Sequence, residues 1–510
     1  MMKKQLFLTA FCLGSFALQS LSFCGFYVAK ADTKLFNKTS QVIMVRDGNK
    51  TTVTMANDFK GNVKDFAMVI PVPNVLQKKD IRIVENSLFN KLDAYSGPRL
   101  VEYYDENPCS PRIQYDMLES IQYNNAIPTS ISMKDVKRNK VLGVTIEAQY
   151  QVDEYDILIL SAKESDGLKT WLTENGYKIP TAAAEVLAPY IKNNLKFFVV
   201  KVDLDKLNEI NGTTNLNKYI KTHDNENIQN LRPIQISYTS PKFMLPIRLG
   251  MANSTGAQDM VVYAFSKEGR VECTNYRTVK IPSNENIPLF VKNKFGQFYV
   301  DLFERAHDKE NKEAIFLEYA WNISPQFRGA KCDPCVGPPP IFTDLTKAGV
   351  NWAMNNGNQA SSNVFFTRLH LRYSRNTHPR DLEFQVTPNK EHFQARYILT
   401  NTAVGDLSCN AGQTYCATVI KNRVNELENL SQLTSWSTVE YSGYVKEYYD
   451  LLKDKNILNE VKSTQKNKQP WLGVPSNESR LGLKIALFLS VVFLLTFAYL
   501  IRQKNPLASK

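Results

Sequence analysis

The chain of 510 residues lacks the short motifs by which many enzymes are recognised. It contains no glycine-rich phosphate-binding loop, no H-E-x-x-H zinc motif, no G-x-S-x-G nucleophile motif and no EF-hand calcium loop. These absences disfavour enzymes that carry a portable motif. Enzymes whose catalytic groups are gathered from distant loops stay compatible with the sequence, so the absences favour a non-enzymatic protein without deciding the question.

The chain also has no arginine-rich helix and no basic run interleaved with aromatic residues, which disfavours nucleic-acid binding. The formal net charge is +12. Six of the positive charges lie at the two chain ends, at Lys3, Lys4, Lys484, Arg502, Lys504 and Lys510. The charge left for the body indicates a solvated basic surface, with local attraction to acidic lipid headgroups as the alternative.

A stretch of uncharged residues near the C-terminus, 485–501, reads IALFLSVVFLLTFAYLI. As an α-helix it would reach about 25 Å, which approaches the bilayer core of about 30 Å when flanking lysines extend towards the interface. Arg502 and Lys504 follow it, in agreement with the positive residues typical of the cytoplasmic side. The sequence predicts a transmembrane helix at 485–501 and a cytoplasmic tail at 502–510.

The N-terminus has the charged, apolar and polar order of a secretory signal peptide, because Lys3 and Lys4 precede the apolar run 6–18. Small residues offer two cleavage sites, before Phe23 and before Asp32, and the first is preferred because the second lies far beyond the apolar run. Lipidation of Cys24 is disfavoured because Phe23 stands where a small residue is expected. We therefore expect a signal peptide at 1–22, a single-pass membrane protein and a body outside the cytoplasm.

Seven cysteines remain once Cys12 leaves with the signal peptide, and disulfides persist in an extracytoplasmic compartment. The seven are Cys24, Cys109, Cys273, Cys332, Cys335, Cys409 and Cys416. The Cys332-x-x-Cys335 pair could form a structural disulfide, exchange disulfides, or supply half of a zinc site with Cys409 and Cys416. A structural bond is favoured, because the pair runs into a glycine and three prolines instead of opening a helix; the pairing among these four cysteines stays open.

Apolar periodicity predicts an α+β fold, with predominantly antiparallel β-sheet subdomains, packed helices and the C-terminal transmembrane helix. The alternation over 144–152 predicts a strand with one buried face, and 155–202 predicts a strand, helix, helix, strand unit. Composition divides the body into an N-terminal α+β subdomain at 23–205, a β-rich subdomain at 206–330, a C-terminal α+β subdomain at 331–452 and a polar linker at 453–484. Within the third, the segments 364–373, 382–386 and 396–400 predict a three-stranded meander.

The first strand of that meander carries Arg368, His370 and Arg372 on its outward face, with Asp381 and Glu383 predicted on the outer face of the second strand. The row could bind an anion or perform acid–base chemistry, but cross-strand ion pairs on a solvated face explain the same residues and are favoured. His378 and His392 could join His370 around a metal, although their spacing matches no ligand motif. No metal, cofactor or catalytic residue is predicted.

Several blocks of the sequence resemble the bacterial family of domain of unknown function 2330 in the same order: FCGFYVAKAD, KLFNKTSQV, TMANDFKG, VIPVP, LDAYSGPRLVEYY, NPC, TNYRTVKIP, CDPC and TRLHLRY. The similarity covers about 23–433. It implies a secreted bacterial protein, often with a C-terminal anchor, and no assigned activity. It also implies a disulfide between Cys24 and Cys109, and it gives no partner for Cys273 or Cys416.

Together these features predict a protein of the bacterial cell membrane whose extracytoplasmic body binds or scaffolds another envelope component. The competing hypotheses are a thiol–disulfide exchange enzyme that uses Cys332 and Cys335, and a structural spacer. A deep pocket would favour an enzyme, and a flat apolar patch would favour a binding protein.

Overall fold

The computed structural model of the chain describes residues 26–29, 40–60, 65–110, 140–141, 144–163, 165–175, 183–203, 228–230, 232–253, 256–324, 327, 329–335, 337–355, 358–359, 363–448 and 452. The predicted signal peptide, Cys24, the polar linker, the transmembrane helix and the tail lie outside these residues. Among the helices that are described, none is long and apolar enough to cross a membrane.

The described strands are β1 (Phe26–Ala29), β2 (Ser40–Asp47), β3 (Lys50–Lys60), β4 (Asp65–Val72), β5 (Ile81–Ile83), β6 (Arg99–Tyr104), β7 (Lys140–Val141), β8 (Val144–Val152), β9 (Tyr155–Ala162), β10 (Lys196–Asp203), β11 (Ile228–Asn230), β12 (Ile234–Thr239), β13 (Met244–Leu245), β14 (Gln258–Ser266), β15 (Val271–Cys273), β16 (Thr278–Lys280), β17 (Glu285–Asn286), β18 (Ile315–Asn322), β19 (Met354–Asn355), β20 (Asn358–Gln359), β21 (Phe365–Tyr373), β22 (Leu382–Val386), β23 (Phe393–Gln394) and β24 (Arg396–Asn401). The described α-helices are α1 (Ser87–Ser96), α2 (Ser165–Glu174), α3 (Ala183–Lys192), α4 (Phe295–Lys309), α5 (Phe342–Ala348), α6 (Asn410–Thr434) and α7 (Ser442–Lys446).

These elements form two compact units, and each unit is discontinuous in sequence. The first comprises Met1–Arg99, Gln122–Asn284 and Phe303–Arg396, and the second comprises Leu100–Ile121, Glu285–Leu302 and Tyr397–Lys510. The mixed α+β class is confirmed, since sheets and helices occur in both.

A ten-stranded sheet forms the centre of the first unit. Its main path runs β16-β18-β21-β14-β2-β3-β12-β5, with β11 and β23 as short additions. Both faces are buried: Val42 and Met44 of β2 pack into one apolar cluster, and the alternating Ile43 and Val45 pack into another. Helices α1 and α5 contribute Leu92 and other apolar residues to the second cluster, so they cover that face.

A six-stranded antiparallel sheet, ordered β1-β4-β10-β9-β8-β7, shares the first of these clusters from the opposite side. Its outer face is covered by α2 and α3, which supply Leu172 and Leu187. The first unit is therefore layered as helices, six-stranded sheet, ten-stranded sheet and helices. The predicted strand, helix, helix, strand unit is confirmed as β9, α2, α3 and β10, with β9 and β10 paired antiparallel.

Strand β8 departs from the predicted one-sided pattern because of a β-bulge. The register shifts between Ile146 and Ala148. Val144 and Ile146 pack towards α2 and α3, whereas Ala148, Tyr150 and Val152 pack towards the ten-stranded sheet. An extra residue in one strand moves every following side chain to the other face, so an alternation that is unbroken in sequence changes sides in space.

The predicted three-stranded meander is wrong. The three strands of the expected meander lie in three different sheets: β21 in the ten-stranded sheet, β22 in β13-β22-β15, and β24 in β17-β24-β6. The ten-stranded sheet draws strands from all three predicted subdomains, so it is assembled from segments that are distant in sequence. The parallel pairing of β2 with β14 joins segments about 220 residues apart, and local composition carries no information about such a contact.

In the second unit, the 25-residue helix α6 buries a stripe that includes Val419, Leu427 and Leu430. The spacing of these residues matches the helical period, which is why this helix is evident in the sequence. The short helix α7 packs against α6, and Arg423 of α6 lies over the rings of Tyr444 and Tyr448.

Candidate ligand-binding cleft

Arg368, His370 and Arg372 share one face of β21, as the alternation of the strand requires, but that face is covered. Arg368 is only 7% exposed. Its guanidinium reaches Asp93 of α1, and His370 stacks on Phe303 of α4 with ring centroids 4.0 Å apart. The prediction of a solvated row is therefore wrong, because helices lie over it.

Arg368 is held between two carboxylates. Its Nε donates to Glu318 Oε2 at 2.5 Å, and its Nη1 donates to Asp93 Oδ1 at 2.6 Å. The side chain of Glu318 is fully buried. Burial lowers the pKa of Arg368, but Tyr263, Glu318 and Asp93 together raise it further than burial lowers it. The guanidinium consequently stays charged and acts as a fixed structural cation.

The other two members of the row are also paired. His370 Nδ1 lies 2.7 Å from Glu318 Oε1, and Arg372 donates two hydrogen bonds to Asp259 at 2.8 and 3.1 Å. Neither Asp381 nor Glu383, the predicted acidic partners, takes part. The acids come from β18 and β14, which flank β21 in the sheet, so the row forms a satisfied ionic network.

The remaining predicted histidines have separate environments. His378 is fully buried, and its ring lies against Tyr276 with centroids 4.5 Å apart, while burial lowers its pKa to about 4. His392 stacks on Trp321 at 4.4 Å. Across the described ranges, no group of three or more His, Cys, Asp and Glu residues is arranged to hold a metal ion.

A cleft of about 360 Å³ opens in the first unit. The ends of β4, α3 and β12 and the segments around β13 and β22 form its walls. The residues that line it are Pro71, Pro73, Pro189, Tyr190, Asn193, Leu195, Tyr238, Ser240, Pro241, Lys242, Met244, Pro246, Arg248, Arg380, Asp381 and Glu383. The volume falls in the range of small-molecule sites, and the lining combines apolar rings with a few polar groups, as such sites do.

Asp381 fixes one wall of this cleft. Its Oδ1 accepts hydrogen bonds from the Tyr190 hydroxyl at 2.7 Å and from the backbone amides of Ile247 and Arg248 at 3.0 and 3.1 Å. Burial raises the pKa of the Asp381 carboxyl, and these donors and the Arg248 charge oppose the rise. The carboxylate thus links α3 to the chain segment before β14 at the wall of the cleft.

The cleft lies in a region of the chain that matches a known protein family. A family model described as an uncharacterized protein conserved in bacteria (DUF2330) matches residues 18–385. The chain belongs to this family. A search of the curated proteins and a search of the solved structures each found no significant match. Every residue that lines the cleft, from Pro71 to Glu383, lies inside the part that matches DUF2330.

The cysteine pairing corrects what the family resemblance implied. Cys109 forms a disulfide with Cys409, with Cα atoms 5.9 Å apart, so its expected bond to Cys24 is wrong. Cys409 lies beyond the DUF2330 match, which is why the family pattern did not indicate it. Cys332 and Cys335 form the second disulfide, and Cys416, a predicted candidate, is a buried free thiol, as is Cys273.

Sequence reasoning missed most of the cleft of this DUF2330 protein. Five prolines line it, and the clustering of four of them in VIPVP and in SPKFMLPI was the available signal, because proline is restricted in sheets to edges, ends and bulges. The cations Lys242, Arg248 and Arg380 carried no such signal, since isolated basic residues are common on surfaces.

Proposed function

We propose that this DUF2330 protein is an extracytoplasmic binding protein whose ligand site is the cleft of its first unit. The observation that carries the proposal is the contrast between the cleft and the β21 network. In the network each charged side chain of the row faces an opposite charge. In the cleft, polar and cationic groups surround an open volume of about 360 Å³.

The cleft supports binding more than acid–base catalysis. Asp381 lies in the wall of the cleft, and its Oδ1 accepts three structural hydrogen bonds. A general base needs a carboxylate that is free to accept a proton from a substrate. The surrounding prolines and tyrosines instead supply a rigid, partly apolar surface, which favours ligand recognition with little loss of conformational entropy.

A cleft-filling variant tests the proposal. Asn193→Trp places an indole at an exposed position of the cleft lining, and Lys192→Trp places one at the adjacent exposed position outside it. The full-length chain in mild detergent is screened for thermal stabilisation by a panel of neutral, anionic and cationic small molecules. We expect compounds that stabilise the wild type and the Lys192→Trp variant but not the Asn193→Trp variant. If no compound distinguishes the two variants, the cleft is not the ligand site.

We further propose that segments 1–22 and 485–501 place the protein in the bacterial cell membrane, with the body outside. The support is the residue pattern at the two ends and membership of a family conserved in bacteria. Cell fractionation of the full chain and of a chain ending at Lys484 tests this. We expect the full chain in membranes, with its N-terminus at Phe23, and the shortened chain in the soluble extracytoplasmic fraction. Recovery of both chains in the cytoplasm would contradict the assignment.

Thiol–disulfide exchange at Cys332 and Cys335 is the second candidate, and one observation favours it. Cys335 is exposed, whereas Cys332 is buried, so an incoming thiolate has access to one sulfur of the bond. Measurement of the reduction potential decides between the roles. A value between roughly −120 and −230 mV would support exchange, and a value below about −300 mV would mark a structural bond.

A further inference from the structure

The cleft is lined by three cations, Lys242, Arg248 and Arg380. The side chains of Lys242, Arg248 and Arg380 form no hydrogen bond or ion pair within the part of the chain that the structure describes. Lys242 and Arg380 are exposed, and Arg248 is half-buried. Two arginines of the β21 network in the same unit, the buried Arg368 and the half-buried Arg372, are paired with carboxylates.

The acids of the cleft form no ion pair with these cations among the described residues, although the nearby charge of Arg248 acts to lower the pKa of the Asp381 carboxyl. Asp381 accepts hydrogen bonds at Oδ1 from the Tyr190 hydroxyl and from the backbone amides of Ile247 and Arg248, so this oxygen is engaged in the wall of the cleft. Glu383 is exposed, and its single negative charge offsets one of the three positive charges of the lining in the formal count. The lining therefore has three cations against two acids, of which one is engaged in the wall.

The prolines make the lining poor in backbone donors. Pro71, Pro73, Pro189, Pro241 and Pro246 have no amide hydrogen, so the donors that face a ligand come mainly from side chains. Guanidinium and ammonium groups donate without accepting, and guanidinium matches the geometry of carboxylate and phosphate oxygens. A ligand that satisfies such a lining must offer acceptors and negative charge.

Building on the proposed function, we infer that the cleft binds a small polyanion, a molecule with two or more carboxylate or phosphate groups. The cleft volume of about 360 Å³ limits the ligand to small-molecule size. Arg248, at the half-buried position, contacts one anionic group, and Lys242 and Arg380 contact the others from the rim. The charges provide affinity, and the proline and tyrosine surface provides shape.

Titration calorimetry on the full-length chain in detergent tests the inference, with citrate as the carboxylate probe, pyrophosphate as the phosphate probe and trehalose as the uncharged probe. We expect at least one anion to bind, with an affinity that falls as salt rises, and no binding of trehalose. Arg248→Gln and Arg380→Gln should each weaken binding of that anion by roughly tenfold to a hundredfold, the equivalent of one charge-assisted hydrogen bond. Which probe binds distinguishes a carboxylate ligand from a phosphate ligand.

The control variants are Lys79→Gln and Arg82→Gln, which remove exposed cations of the same unit that do not line the cleft. Their affinities should stay within about twofold of the wild type, because exposed charges outside the site are screened. Equal losses in the control and cleft variants would overturn the inference. Binding of neutral compounds alone, blocked by Asn193→Trp, would overturn the ligand class while leaving the cleft as the binding site. Binding of no compound of any class would overturn both.

Discussion

The substitution Arg368→Met tests whether the covered face of β21 depends on its charges. Glu318 has a fully buried side chain, and Arg368 donates a hydrogen bond to its carboxylate. Methionine resembles the arginine stem in length but carries no charge, so the variant leaves a buried carboxylate without its guanidinium. Removing one partner of a buried ion pair costs about 3–5 kcal/mol of the free energy of unfolding.

The double variant Glu318→Leu with Arg368→Met separates the charge effect from loss of packing. It removes both members of the buried pair, and hydrophobic replacements of such pairs are often neutral or stabilising. Asp93 keeps the Tyr263 hydroxyl as a donor and is about half exposed, so it stays hydrated. His370 loses Glu318 but keeps Asp259 at 3.9 Å. We expect the double variant to be more stable than Arg368→Met. Arg372→Met is the matched control on the same strand, because its partner Asp259 is 34% exposed and the expected loss is about 1 kcal/mol or less.

Urea unfolding of the full-length chain, followed by tryptophan fluorescence, measures these differences, since Trp321 and Trp352 pack in the cluster on the same face of the sheet. A loss of less than about 1 kcal/mol for Arg368→Met, the typical value of an exposed pair, would show that the covered face does not depend on this charge. A double variant that is no more stable than Arg368→Met would show that the loss of stability comes from lost packing.

Three further predictions concern the second unit. Burial raises the pKa of Glu426 to about 7 from an ordinary 4.5, so the folded state retains a proton that the unfolded state loses. The stability that this carboxyl contributes is present below pH 4.5 and is lost as pH rises to about 7. The Glu426→Gln variant keeps an acceptor for the Tyr444 hydroxyl, so it should remove this pH dependence and stabilise the unit at pH 8 by at most about 3 kcal/mol. Urea unfolding at pH 5 and at pH 8 measures the difference. The Cys109→Ser variant opens a bond that closes a loop of 300 residues and should lower the free energy of unfolding by about 2–5 kcal/mol; an unfolding midpoint equal to that of the wild type under oxidising conditions would contradict it. The Gly412→Ala variant brings a methyl group against the Leu407 carbonyl and within 2.7 Å of Cys109 Sγ. The free energy of unfolding should fall by about 1–3 kcal/mol, as for an overpacked core, and thermal unfolding measures the change. An unchanged midpoint would show that the start of the helix shifts freely.

Local features were predictable from the sequence because they depend on neighbouring residues. The period of α6 and the strand, helix, helix, strand unit β9 to β10 both arise from apolar spacing within about 50 residues. The face shared by Arg368, His370 and Arg372 followed from the two-residue period of a strand. The burial of that face did not follow, because Asp93 lies 275 residues before Arg368 in the chain and the alternation says nothing about what covers it.

The bulge in β8 shows a second limit. Val144 and Tyr150 belong to the same alternating series in sequence, yet they pack on opposite sides of the six-stranded sheet. The register shift between Ile146 and Ala148 is set by pairing with β9, where two residues of β8 oppose one of its partner. Pairing is a property of two strands, so a single-strand pattern cannot locate it.

The distribution of paired and unpaired charges connects the fold to the proposed function. The buried charge of Arg368 is satisfied by partners distant in sequence, Glu318 and Asp93, because an unpaired buried charge would cost several kcal/mol. Lys242, Arg248 and Arg380 line the cleft and form no ion pair among the described residues, and anionic groups in a confined site would interact with them more strongly than water does. The proposed role of these cations in binding an anion predicts that neutralising Arg248 reduces ligand affinity while leaving the free energy of unfolding within about 0.5 kcal/mol of the wild type.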